Sequence, residues 1–123
     1  MDRVFFSLGA VLAGLAVAAG AFAAHGLRAR IAPEMLVVFE TGARYQMYHS
    51  VALLAVAFAS ARWPDGLMAL AGWMFVAGII VFSGSLYLLA VTGVRWLGAI
   101  TPLGGVAFLV GWALLAWSAA RSG

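Results

Sequence analysis

The stretch Leu67–Val94, LMALAGWMFVAGIIVFSGSLYLLAVTGV, carries no formal charge and is bracketed by Asp65 and Arg95. A helix rises 1.5 Å per residue and the hydrocarbon core of a bilayer is about 30 Å thick, so about 20 apolar residues cross it. This stretch is long enough to do so. Three more uncharged stretches accompany it: Val4–Leu27, Tyr45–Ala61 and Trp96–Ala120. The four acids (Asp2, Glu34, Glu40, Asp65) and seven arginines (Arg3, Arg28, Arg30, Arg44, Arg62, Arg95, Arg121) lie between or at the ends of these stretches. Charges at membrane interfaces are spaced in this way.

The bulk composition agrees. The chain is 66% hydrophobic and 9% charged, with a mean hydropathy of +1.09. A soluble domain is about half apolar and a quarter charged. An ordinary soluble enzyme, a secreted disulfide scaffold and a disordered tail are therefore excluded. Four spans use about 80 residues of the 123 and leave enough for connections; five would leave almost none. The expectation is an all-α integral membrane protein, one domain over 1–123. It is a four-transmembrane-helix, up-down-up-down bundle with spans near 4–24, 45–61, 67–92 and 96–120.

Local signals mark the connections. His25-Gly26 closes span one, with glycine suited to a left-handed helix cap. Pro33 is placed as a first helical position, with Glu34 near the positive end of the helix dipole. Residues 33–44 mix apolar and charged side chains and read as a short interfacial helix, continuous with span two or bent at Gly42. Glu40 and Arg44 are four apart and can pair on one helix face. Arg62-Trp63-Pro64-Asp65-Gly66 and Gly93-Val94-Arg95 read as tight turns. Trp63, Trp96 and Trp117 fall near predicted interfaces, whereas Trp73 and Trp112 fall deeper. The start, Met1-Asp2-Arg3 before an apolar run and Ala21-Phe22-Ala23, resembles a signal peptide. The run exceeds a usual signal core, and its glycines suit a packed helix, so it reads as a span.

The net charge of +3 and pI of 10.2 do not indicate nucleic acid, because the arginines are spread over span ends rather than clustered on one face. With no cysteine there is no disulfide and no thiolate ligand.

Short connections make successive spans antiparallel. Let side X be the side of the N-terminus and side Y the opposite one. Side Y then collects His25, Arg44, Tyr45, Gln46, Tyr48, His49, Ser83, Ser85, Tyr87, Thr92 and Thr101, with Glu40 near them. His49, Tyr87 and Thr101 are expected about 8 Å inside the Y boundary. Pro102 is expected to free the carbonyl of Gly98. Gly20, Gly84, Gly104 and Gly105 are expected to let helices approach closely, since small residues drive helix packing in lipid. Two readings of the polar residues stay open: a hydrogen-bonded knot that fixes helix register, or a site for a small polar or amphipathic ligand such as a lipid headgroup or quinone.

Metal and catalytic chemistry find little support. His25 and His49 lack a partner set with ligand spacing, so no metal, haem or other cofactor is expected. Ser83-Gly84-Ser85 lacks the context of a nucleophile elbow, and no acid is placed to orient His49, so no catalytic residue is assigned.

Four segments carry a family resemblance: Gly20–Leu27 (GAFAAHGL), Phe39–His49 (FETGARYQMYH), Phe82–Tyr87 (FSGSLY) and Leu97–Gly105 (LGAITPLGG). In this order they resemble the YgdD-like family of small bacterial inner-membrane proteins, a domain-of-unknown-function family. One departure is alanine at Ala23 or Ala24, where the family favours glycine. The resemblance implies a four-span inner-membrane protein and no established activity. Its motif residues coincide with the Y-side cluster.

The leading functional expectation is a non-enzymatic scaffold, accessory or ligand- or lipid-binding membrane protein. Membrane lipids are its partners, along with a homo-oligomer or another membrane protein. The alternatives are a dimeric small-solute transporter or channel, and a lipid- or quinone-linked enzyme subunit. Arg3, Arg62 and Arg121 on side X balance the Y-side arginines once Arg44 is placed inside the bundle, so charge assigns no orientation.

Overall fold

The computed structural model describes residues 2–121, and among them there are helices and turns but no strand. Helix α1 (Asp2–Phe22) runs on through a π turn, Ala23–Leu27. Helix α2 spans Pro33–Arg62. Helices α3 (Gly66–Gly78) and α4 (Gly84–Thr92) are joined by a second π turn, Ile79–Ser83, into one rod. A 3₁₀ turn, Arg95–Ala99, leads into α5 (Thr101–Arg121). Asp2–Leu27, Gly66–Thr92 and Arg95–Arg121 are long and apolar enough to cross a membrane. Helix α2 has the length, at 30 residues, but the polar residues of its first half set it apart from those three.

The ends follow from local chemistry. Pro33 opens α2, where its missing N–H is no loss. Asp65 caps α3: its carboxylate accepts the Leu67 N–H at 3.0 Å. Gly93 closes α4 with φ 72°, and its N–H donates to the Leu89 carbonyl at 2.8 Å.

Two expectations about ends are corrected. Gly26 is not a left-handed cap, since Gly93 is the one positive-φ residue among those described. The helix runs past Gly26 to Leu27, whose carbonyl then accepts the Arg30 and Ile31 N–H groups. Pro102 frees no carbonyl of a running helix. It lies in the first turn of α5, where the N–H has no helical partner in any case. Of the two alternatives for residues 33–44, the structure takes the continuous one: α2 runs through Gly42 without a break.

Packing is by aromatic rings set on glycines. Phe5 of α1 lies over Gly72, Phe108 of α5 over Gly78, and Phe75 of α3 over Gly111. In lipid, apolar burial gives helices little reason to associate, so close van der Waals contact must hold them. These rings belong to the main core, with Leu53, Val56 and Ile79. A smaller core of Ala23, Leu27, Phe39 and Ala90 closes the other end. Where the π turn Ile79–Ser83 crosses α5, the backbone of Phe82 comes so near Gly104 that a Cβ there would strike it. The other glycines expected to pack do not all do so. Gly20 and Gly84 have open space where a side chain would go, and Gly105 only brushes the Phe82 ring.

Candidate functional site

Helix α2 organises the polar residues. Positions 42, 46, 49, 50 and 53 fall on one stripe at helical spacing, and all five are buried. That stripe meets α1, α4 and α5 through two polar contacts, and a third joins α4 to α5.

The first contact centres on Gln46, which is 5% exposed. Its side-chain N–H donates to the Leu12 carbonyl of α1 at 2.8 Å, and its Oε1 accepts the Tyr87 hydroxyl of α4 at 2.6 Å. One amide thus ties three helices. The Tyr87 ring packs on Gly42 and lies 4.7 Å from Phe39, centroid to centroid. Beside it, the Ser83 hydroxyl donates to the Gly42 carbonyl at 2.7 Å. The π turn that contains Ser83 inserts one residue into the rod and brings this hydroxyl to α2.

The second contact is His49. The Trp112 indole N–H of α5 donates to His49 Nε2 at 3.1 Å, and His49 Nδ1 lies 2.8 Å from the Tyr45 carbonyl. An indole can only donate and a carbonyl can only accept. The neutral ring with its proton on Nδ1 therefore satisfies both partners. The imidazole stacks on Phe108 at 3.5 Å and 6°, and Tyr45, Phe75 and Phe82 complete an aromatic wall. Both nitrogens are committed, which leaves no lone pair for a metal. Among the described residues, no three His, Cys, Asp or Glu side chains come together.

The third contact is a 2.6 Å hydrogen bond between the hydroxyls of Ser85 and Thr101, linking α4 to α5.

His49, Tyr87 and Thr101, expected at a similar depth on side Y, take part in three separate contacts, because each side chain reaches a different neighbouring helix. Other expected members lie apart. His25 is exposed, and its Nδ1 meets the Ala21 carbonyl of its own helix at 2.9 Å. Tyr48 is 51% exposed, its ring against Tyr45. Glu40 and Arg44 form no ion pair with each other. They line a lateral notch of about 250 Å³ between α1 and α2, with Ala16, Gly20, Ala43 and Met47.

Gln46 was expected among the Y-side polar residues, whereas Trp112 was not. Gln46 had a legible signal, an amide on the same stripe as Gly42, His49 and Leu53. Trp112 had none, because a lone indole in a span does not name its acceptor.

Comparison with known proteins adds the family. A model described as "Protein of unknown function (DUF423)" matches residues 19–105. The chain belongs to the DUF423 family. The DUF423 match contains all four motif segments together with Gln46, and it ends before Trp112. The chain is 49% identical over 120 residues to the UPF0382 membrane protein YwdK of Bacillus subtilis, covering 97% of this chain and 98% of the relative. It is 48% identical over 113 residues to a UPF0382 membrane protein of Staphylococcus saprophyticus, covering 92% and 93%. No solved structure matches the chain. Three helices able to span a bilayer and relatives named as membrane proteins identify this DUF423 chain as an integral membrane protein.

Proposed function

We propose that the protein is a non-enzymatic, four-span member of the YgdD-like type in a bacterial inner membrane, serving as a lipid-contacting accessory or scaffold subunit. Its bundle runs up-down-up-down, with α2 as the second span. The length of α2, about 45 Å at 1.5 Å per residue, supports this. So does the way its polar stripe is turned to protein partners, which is the condition for polar groups to lie in lipid.

One observation carries the functional reading. The buried polar side chains of the cluster, Gln46, His49, Ser50, Ser83 and Ser85, each hydrogen-bond to another group of the protein. Tyr87 and Thr101 are used up in the same bonds. A catalytic set keeps at least one group free to meet substrate; this cluster spends its groups on bonds within the protein, all but that of Ser50 including one between helices. It acts as a clasp, and contact with other molecules falls to the lipid-facing surface.

Unfolding measurements on single variants test the clasp. Tyr87→Phe, Ser83→Ala and Trp112→Phe should each lower stability in mixed micelles. Unchanged or raised stability would mark the cluster as a ligand site instead. Span count is tested by labelling: the chain has no native cysteine, so Arg28→Cys and Arg62→Cys report one site each. Labelling from opposite sides is expected, and labelling from one side would overturn the four-span reading.

A further inference from the structure

We infer that the notch between α1 and α2 binds the headgroup of a phospholipid that carries both a phosphate and a primary ammonium. The inference rests on the four-span reading, which sets the depth of the notch.

The walls of the notch are Ala16 and Gly20 on α1 and Glu40, Ala43, Arg44 and Met47 on α2, an open groove of about 250 Å³. Small residues open it: a side chain at Gly20 would meet no neighbour. Its two charged groups are opposite in sign, and neither has a hydrogen bond or ion pair within the described structure. One turn apart on a helix, they are near enough to pair with each other and do not. A carboxylate and a guanidinium held apart at one cavity make complementary poles for a zwitterion.

Depth identifies the zwitterion. Arg62 ends α2, which on the four-span reading places it at one face of the bilayer. Counting along the helix, Arg44 lies about 27 Å from it and Glu40 about 33 Å. These positions straddle the far edge of a core about 30 Å thick, where headgroups begin. Arg44 is the deeper and Glu40 the outer, by about 6 Å. In a phospholipid the phosphate sits next to the glycerol and the amine at the outer end. Guanidinium therefore meets phosphate, with its two-pronged donor geometry, and carboxylate meets ammonium. The reverse order would set carboxylate against phosphate.

The lining favours a primary amine over a quaternary one. A primary ammonium donates hydrogen bonds to a carboxylate, and a quaternary one has no N–H. Quaternary groups are held by aromatic cages, and the notch has no aromatic wall. A headgroup with phosphate alone would leave Glu40 unpaired. Below Arg44 the same face of α2 continues with Met47, Val51, Leu54 and Phe58, an apolar track for the acyl chains.

The test uses the full chain in nanodiscs of phosphatidylcholine doped with phosphatidylethanolamine or phosphatidylglycerol, with retained lipid read by native mass spectrometry. Phosphatidylethanolamine should be retained preferentially. Arg44→Gln should weaken that retention about tenfold, the scale of one charge-assisted bond. Glu40→Gln should abolish the preference over phosphatidylcholine while some binding persists. The double exchange Glu40→Arg with Arg44→Glu keeps the composition, reverses the poles and should lose the preference. Both groups are unpartnered, so melting curves of these variants should match the parent.

Equal retention of the three lipids by the parent, or no effect of Arg44→Gln, would overturn the proposal. Binding of free phosphoethanolamine as tight as the lipid would overturn it in favour of a soluble zwitterion. If Arg28→Cys and Arg62→Cys label opposite sides and no preference appears, the headgroup inference alone falls. If they label one side, the depth argument and the four-span reading fall together.

Discussion

The hydroxyl of Tyr87 donates a 2.6 Å hydrogen bond to Oε1 of Gln46, 41 residues earlier in the chain. The same amide donates to the Leu12 carbonyl, so α1, α2 and α4 meet on one side chain. Tyr87→Phe keeps the ring against Phe39 and Gly42 and removes one bond. It should cost about 0.6–1.7 kcal/mol, the range of interhelical bonds in membranes. Gln46→Leu removes both bonds and strands the Tyr87 hydroxyl, so it should cost more, about 1–3 kcal/mol. Unfolding in mixed micelles measures both, and a smaller loss for Gln46→Leu than for Tyr87→Phe would refute the bridge.

His49 and Trp112 should show energetic coupling. A double-mutant cycle with His49→Phe and Trp112→Phe is expected to give about 0.6–1.7 kcal/mol. His49→Phe should also move the indole N–H resonance of Trp112, because its acceptor at 3.1 Å is gone. Zero coupling with an unmoved resonance would show that the bond does not form in the membrane.

Gly104 and Gly84 should respond oppositely to alanine. A Cβ at Gly104 strikes the Phe82 backbone, which cannot rotate away, so Gly104→Ala should cost about 1–3 kcal/mol as overpacking does. Gly84 has open space and lies in a continuous helical rod. Gly84→Ala should be neutral or stabilising by up to about 1 kcal/mol, from helix propensity. Thermal denaturation of the two variants side by side decides the point, and equal losses would place the crossing of α5 with the π turn elsewhere.

Asp65 and Arg121 join α3 to α5 by a two-pronged ion pair, 2.6 and 2.7 Å. The Arg121 hydrogen bonds and the Leu67 N–H lower the Asp65 carboxyl from 3.8 to about 2. A carboxyl lowered by folding stabilises fully above its unfolded value and stops doing so as pH falls through its folded value. The contribution should be whole above about pH 4 and gone below about pH 2. Asp65→Asn keeps a helix cap and removes the charge. Its melting temperature should trail the parent's at neutral pH, and the two should converge toward pH 2. A constant gap across the range would rule out the pair as the cause.

Membrane class and helical character were legible in the sequence because both depend on local composition. Uncharged runs such as Leu67–Val94 meet the length of a bilayer, and Pro33 marks where a helix starts. Part of the polar cluster was legible too, since Gly42, Gln46, His49 and Leu53 recur at helical spacing. Errors arose where three-dimensional contact decides. Gly26 looked like a helix end, yet a π turn carries the helix past it. Glu40 and Arg44 had the spacing of a pair, yet they face a notch unpaired.

By itself the sequence determined the solvent, the helices and the identity of the few polar side chains. Each of these follows from residues close together along the chain. The tertiary structure alone decided which acceptor each donor meets: Trp112 with His49, Tyr87 with Gln46, Ser85 with Thr101. The physical reason is that hydrogen bonds reach only about 3 Å, and helix rotation and π turns set which residues come that close. Spacing along one helix does not encode the rotation of its neighbour. The same limit explains the glycines, whose sequence positions are alike while only the helix crossing separates Gly104 from Gly84.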